Sequence, residues 1–493
     1  MLQKRSILHA LLTKCCGPAA MAIAVLLLVG TPAWADGNGQ GNNGNGQGNK
    51  GNEAGDDRAV RLLDIIPVPP IPANNNTAGA LYSYDISWVD QERQLYFLAD
   101  RSNKAVEVVD AKTSTLLTPV QVNPSPPFVP FAGFVACGMG DGNPPSPGAN
   151  DCAGPNGVVT AEPPLPWLFV TDAGSRVDCI DITTGKTKAQ VVTRAGDPTR
   201  ADELAYSPAL GLLFVINNVQ FPGHPPYGTF ISVKKSDCTL TVGPAIILDA
   251  AHGVDAQDGA EQPVWEPVSG KFYLSIPQIG MTVSHGAVVR IAPNATNVTP
   301  ADIFPVEFCG PAGLTVGPKQ DLFIGCNKVF DVQGGVWDPA GPVTAAPQDV
   351  IIDAKDGSLD TNVLGVGAGD EVWFNKGDGN YYATGSGSPF RPLPAATAKG
   401  ATPLGVVDAK DQKVLQQLTT YNVPAGTGHP AGTAHSVAAN AKNNHIFVPL
   451  AANTAFSSFA VPGGKPPAPD CETGCIAVYG HPDEDPGNPQ EDD

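Results

Sequence analysis

The 493-residue chain reads as all-β, a seven-bladed β-propeller of four-stranded antiparallel blades with an N-terminal strand completing the last blade. Three observations lead there. A hairpin pattern returns seven times at long, fairly even spacing. A lone strand precedes the first copy, while the last copy is one strand short. No long stretch carries the apolar period of 3.6 that a helix needs.

The fullest copy is residues 261–275, Glu-Gln-Pro-Val-Trp-Glu-Pro-Val-Ser-Gly-Lys-Phe-Tyr-Leu-Ser. It predicts a short strand, a turn closed on Gly270, and a second strand of alternating large apolar residues. The other copies are 85–90 before 95–98, 157–160 before 167–170, 203–208 before 212–215, 313–316 before 322–324, 371–374 before 381–382, and 436–439 before 446–448. A third strand follows, as in Ala-Val-Glu-Val-Val-Asp at 105–110 or Gly-Val-Val-Asp at 405–408, and then a fourth, as at 302–306 or 414–418. Residues 59–68 form the lone strand, and the unit ending at 476–479 lacks its fourth. Pairing the two closes the ring and removes an exposed edge. The Gly/Pro/Ala-rich stretches 123–155, 334–347, 385–402 and 451–469 have no period and read as loops.

Residues 1–35 read as a signal peptide, with Lys4 and Arg5, an apolar run over 19–30, and Ala33-Trp34-Ala35 as the cleavage signal. Residues 36–58 are a Gly/Asn/Gln linker, 59–480 the propeller, and 481–493 an acidic tail. The protein is therefore expected to be secreted or periplasmic, and a monomer. Losing Lys4, Arg5 and Lys14 with no acid takes the net charge from −19 to −22. Such a chain, without a Lys/Arg cluster, excludes nucleic acid as a partner and does not favour membrane insertion. A small-molecule ligand, a cation or a protein partner remains. Eight cysteines survive cleavage, and the expected disulfides are Cys137–Cys152, Cys179–Cys238, Cys309–Cys326 and Cys471–Cys475.

Aligning the copies on their first apolar residue brings two positions per blade to one channel mouth. The outer position gives Tyr84, Asn156, Asp202, Glu261, Ala312, Asp370 and His435; the inner gives Asp85, Gly157, Glu203, Gln262, Gly313, Glu371 and Ser436. Acid, amide and imidazole groups so gathered suit a hard divalent cation, Ca²⁺, Mg²⁺ or Mn²⁺. The loop carrying His252, Asp255 and Asp258 lies close enough in sequence to join them. Trp88, Trp265, Trp373 and Tyr206 read as one register packing between blades. Gly-x-Ser-x-Gly, His-Glu-x-x-His and phosphate-loop motifs are absent from the sequence.

Val-Val-Asp-Ala-Lys with its turn resembles the YVTN-type propeller repeat, in which an Asp ends the third strand. Residues 261–267 are similar to the Glu-Gly-Pro-Val-Trp-Asp motif of the gluconolactonase/senescence-marker-protein family, with Gln262 in place of Gly. Pro155-Asn156-Gly157-Val158 resembles that family's Asn-Gly motif. The resemblance implies a divalent metal on Glu261 and Asn156, with Asp202 and Asp370 where a family Asp would sit. His435 joins them from the rim alignment. It also implies a metal-polarised lactone or ester and a carboxylate general base, for which Glu203, Glu371 and Asp85 are the candidates. That family has six blades with its Glu blade first, whereas Glu261 lies in the fourth of seven here. The alternative is a non-catalytic propeller that binds a protein or polymer through its loop-rich face.

Overall fold

Each hairpin pattern folds as the two inner strands of a four-stranded antiparallel sheet, and the described residues form seven such sheets in a ring. The computed structural model describes residues 59–74, 76, 79–122, 127–134, 150–220, 223–331, 333–335, 349–366, 371–384, 401–421, 434–452, 471 and 473–481. The expected signal peptide and linker, the tail beyond His481, and most of the expected insertion loops lie outside them. One insertion is shorter than expected: the third strand of blade 6, Ala401–Asp408, starts inside the 385–402 stretch because Ala401 pairs with Tyr421. Helix is limited to five three-residue turns among the described residues.

The same turn chemistry makes the first hairpin in five blades. In blade 4, Gly270 N–H donates to Glu266 O, and Gly270 has φ 65°. Glycine adopts that conformation without a Cβ clash. The Glu266 carboxylate accepts from Val268 N at 2.8 Å and Ser269 N at 2.6 Å, so the second acid of the Pro-Val-Trp-Glu motif caps its own turn. Asp90, Ser207, Asn375 and Asn440 open the equivalent turns, and Gln94, Gly211, Gly379 and Asn444 take the left-handed position. The Asp ending the third strand has the same task one hairpin later. Asp110 accepts from Lys112 N and Thr113 N, Asp181 from Thr183 N and Thr184 N, and Asp408 from Lys410 N and Asp411 N. Local side-chain acceptors of this kind favour turns over continued strand.

The ring closes as the sequence implies. Arg61–Pro67 lies antiparallel against Cys475–Gly480 as the outermost strand of blade 7. A two-way hydrogen bond between Val60 and the Gln416 amide ties its start to blade 6.

The core is a ring of seven apolar clusters, one at each interface between neighbouring blades. Alternation along a strand feeds both interfaces: Phe97 packs toward blade 2, while Tyr96 and Leu98 pack toward blade 7. This is why the second strands read as unbroken apolar runs. Three of the expected cysteine pairings are present. Cys179–Cys238 joins blades 2 and 3, Cys309–Cys326 lies within blade 5, and Cys471–Cys475 closes onto the last strand. Cys137, expected to pair with Cys152, lies outside the described residues.

Candidate functional site

The innermost strands surround the ring axis, so residues just before them meet at one mouth. Backbone pairing corrects their register by one place in blade 1. Asp85 N, Asn156 N, Asp202 N and Glu261 N each donate to the second strand of their own blade, at Ala99, Thr171, Ile216 and Ser275 O. Asp85 therefore belongs with Asn156, Asp202 and Glu261, and Tyr84 falls one residue behind. The difference arises at Ile86, which is apolar enough to pass for the first strand residue although the strand runs Ser87–Asp90. His435 lies five residues before its turn-opening Asn440, as Asp85 does before Asp90, and shares the position. Asp370 lies outside the described residues.

Two arginines that the repeat pattern does not mark complete this cluster. Arg101 is 1% exposed; its Nε donates to Asn156 Oδ1 at 2.9 Å, and its Nη2 is paired with Asp85. Arg200 places Nε 3.0 Å from Asp202 Oδ1. The Asn156 amide is used on both sides, with Nδ2 donating to Ala153 O and Ala201 O. His435 Nε2 lies 3.5 Å from Asp85 Oδ1, and its ring stacks on Tyr84 at 4.7 Å. Burial alone would raise the Asp85 pKa, but Arg101, His435 and Arg200 outweigh it and hold the carboxyl well below the usual range. Burial likewise opposes the charge on Arg200, while Asp202, Asp85, Asp151 and Glu261 together raise its pKa. Asp85, Asn156, Asp202 and both arginines thus form a compact ionic network at the mouth, contributed by blades 1 to 3.

Two of the expected metal ligands, Asn156 and Asp202, are already engaged by arginine. The Asn156 oxygen accepts from the Arg101 guanidinium, and the Asp85 and Asp202 carboxylates each lie against an arginine. Among the described residues, no group of three or more His, Cys, Asp or Glu side chains is arranged to hold a metal. The neighbouring loop acids are engaged elsewhere: Asp258 pairs with Lys328, Asp255 accepts from Gln257, and His252 lies 2.6 Å from Asp249.

Glu203 and Glu371 sit one residue deeper, level with Gly157 and Gln262. Glu371 is 1% exposed, and its Oε2 accepts from Ser87 N, Ser87 Oγ, Ser436 Oγ and Val437 N. Burial, opposed by those hydrogen bonds, pushes its pKa up to about 8, so the carboxyl holds a proton at neutral pH. Glu203 is 4% exposed.

Below them opens a cavity of about 660 Å³ lined by the innermost strands of six blades. Glu203, Gln262 and Glu371 line its inner end; Asp85, Asn156, Asp202, Glu261 and His435 do not line it. Its walls are Trp88, Tyr206, Trp265, Trp373 and Phe374, and its lining continues to Pro208, Ala209 and Pro267 in the first-hairpin turns. The cavity thus reaches the end of the ring opposite the ionic network. The aromatics do not share one register: Trp88 pairs with Phe97 and Trp373 with Tyr382, two residues before their turns open, whereas Tyr206 and Trp265 lie one residue before. They pack against the interface clusters as expected and also face the cavity. Blade 7 contributes Ala438 and Ala439 at this level, and Trp88 and Trp373 from the blades on either side meet edge to face at 5.1 Å.

No family model and no curated protein matches this chain. The likeness to YVTN and lactonase repeats therefore rests on short motifs, and two of these have turn-capping work that accounts for them. The Asp of Val-Val-Asp-Ala-Lys and the Glu266 of Pro-Val-Trp-Glu both bind the backbone of the turn they precede.

Proposed function

We propose that this is a ligand-binding propeller that takes a small molecule into its central cavity from the first-hairpin end. The observation that carries this reading is the separation of the two ends. One mouth carries buried ion pairs, while the cavity, lined by none of those residues, keeps about 660 Å³ behind partly exposed aromatic walls. Concave, largely apolar sites with a few polar groups at depth are the usual form of small-molecule pockets. Metal-assisted lactone or ester hydrolysis receives no comparable support, because Asn156 and Asp202, two of the expected ligands, already lie against guanidiniums. Export through the expected signal peptide is part of the proposal. It is supported by three cysteine pairs at bonding distance, which suit an oxidising compartment.

Thr315 lines the cavity from blade 5, and Thr315→Phe fills part of it. A panel of small aromatic ligands, followed by tryptophan fluorescence and thermal shift, should yield binders whose affinity falls on the order of tenfold or more in the variant. Binders indifferent to Thr315→Phe, in a variant that melts like the wild type, would place the site elsewhere.

A further inference from the structure

We infer that the cavity selects an organic cation, a substituted ammonium or amidinium carried on an apolar body. The inference deepens the proposed function and rests on it. Three features of the lining point the same way.

The first is charge. Glu162, Glu203 and Glu371 line the cavity, and no Lys, Arg or His is among its described lining residues. The exclusion is local rather than a matter of composition, since Arg101 and Arg200 lie at the network above. The second is the wall. Trp88, Trp265 and Trp373 are partly exposed toward the axis, and the faces of such rings attract cations, most strongly where water is excluded. The third is the arrangement along the axis. Glu203 and Glu371 are 4% and 1% exposed at the inner end, and Glu162 is exposed at the first-hairpin end near Tyr206, whose pKa is raised by burial first and then by the Glu162 charge. A cation thus meets negative charge at the entrance, aromatic faces along the wall, and carboxyls at depth. An anion meets like charge at the entrance and the negative faces of the rings along the wall.

Glu371 fits this order. Its hydrogen bonds fall on Oε2, and it stands among the lining residues. A cation beside it would stabilise the ionised form that burial disfavours.

The test compares three probes by isothermal titration with the full chain: benzyltrimethylammonium, its neutral carbon isostere neopentylbenzene, and benzenesulfonate. The ammonium is expected to bind about tenfold or more tighter than the isostere, and the sulfonate not at all. Glu203→Gln and Glu371→Gln, tested separately so that one folded variant suffices, should each weaken the ammonium several-fold and leave the isostere unchanged. Equal binding of ammonium and isostere, both lost in Thr315→Phe, would overturn the cation inference while the cavity reading stands. Binding of none of the three would overturn both.

Discussion

Replacing Arg101 with methionine is expected to lower the stability of the fold by about 3–5 kcal/mol, the usual cost of stripping one partner from a buried ion pair. Arg101 is 1% exposed and serves Asp85 and Asn156 together, so its loss leaves a buried carboxylate and an amide oxygen without their donor. A double-mutant cycle with Asp85→Asn isolates the charge. Removing the acid as well should restore part of the loss, because the uncompensated charge goes with it. The pH dependence adds a second signature. The depressed pKa of Asp85 contributes stability above its ordinary value of 3.8, and that stability is lost as pH falls through the folded-state value. Without Arg101 that contribution should shrink or change sign. Chemical denaturation of the four proteins across pH reads both effects. An Arg101→Met variant within about 1 kcal/mol of wild type would be inconsistent with a buried network.

Glu371→Gln is expected to stabilise the protein relative to wild type increasingly as pH rises. The folded carboxyl titrates at about 8 rather than the ordinary 4.5. Between those values the native state keeps a proton that the unfolded chain has released, so the wild type loses stability as pH rises. Each pH step of one in that window moves the balance by ~1.4 kcal/mol. The difference between variant and wild type should therefore grow by several kcal/mol from pH 4.5 to pH 8. Glutamine keeps an acceptor for the Ser87 and Val437 N–H groups and cannot ionise. Other buried acids, such as Asp100 and Asp349, occur in both proteins and cancel in the comparison. A difference that stays flat across that range would mean Glu371 titrates like an exposed carboxyl.

The blades were legible in the sequence because each hairpin states its own turn. Gly270, Gly211 and Gly379 mark left-handed positions, and Asp110 and Asp408 mark strand ends by their capping side chains. Closure was legible from an unpartnered strand at one end and a three-stranded unit at the other. The site was less so. Aligning copies on apolar residues shifted blade 1 by one, since Ile86 is apolar yet lies just before its strand. The acids were visible at repeated positions, but their counterions were not, because Arg101 and Arg200 occur once each and follow no repeat. A geometric signal did exist. The second strand of a blade runs back to the mouth where the first begins, so a residue just past its end, such as Arg101 after Asp100, arrives beside the rim. The cavity was hidden for a different reason: tryptophans that pack between blades and tryptophans that face the axis look alike in sequence. What exposes Trp88 and Trp373 to each other is the small Ala438–Asn440 strand between their blades.

Metal content of the purified protein, paired with a melting curve in added Ca²⁺, Mg²⁺ and Mn²⁺, tests most directly whether arginine balances the rim. The expected result is no divalent ion near stoichiometry and a melting temperature indifferent to all three. One equivalent of a divalent ion, lost on Glu261→Ala, would contradict it and return the binding site to the acidic mouth.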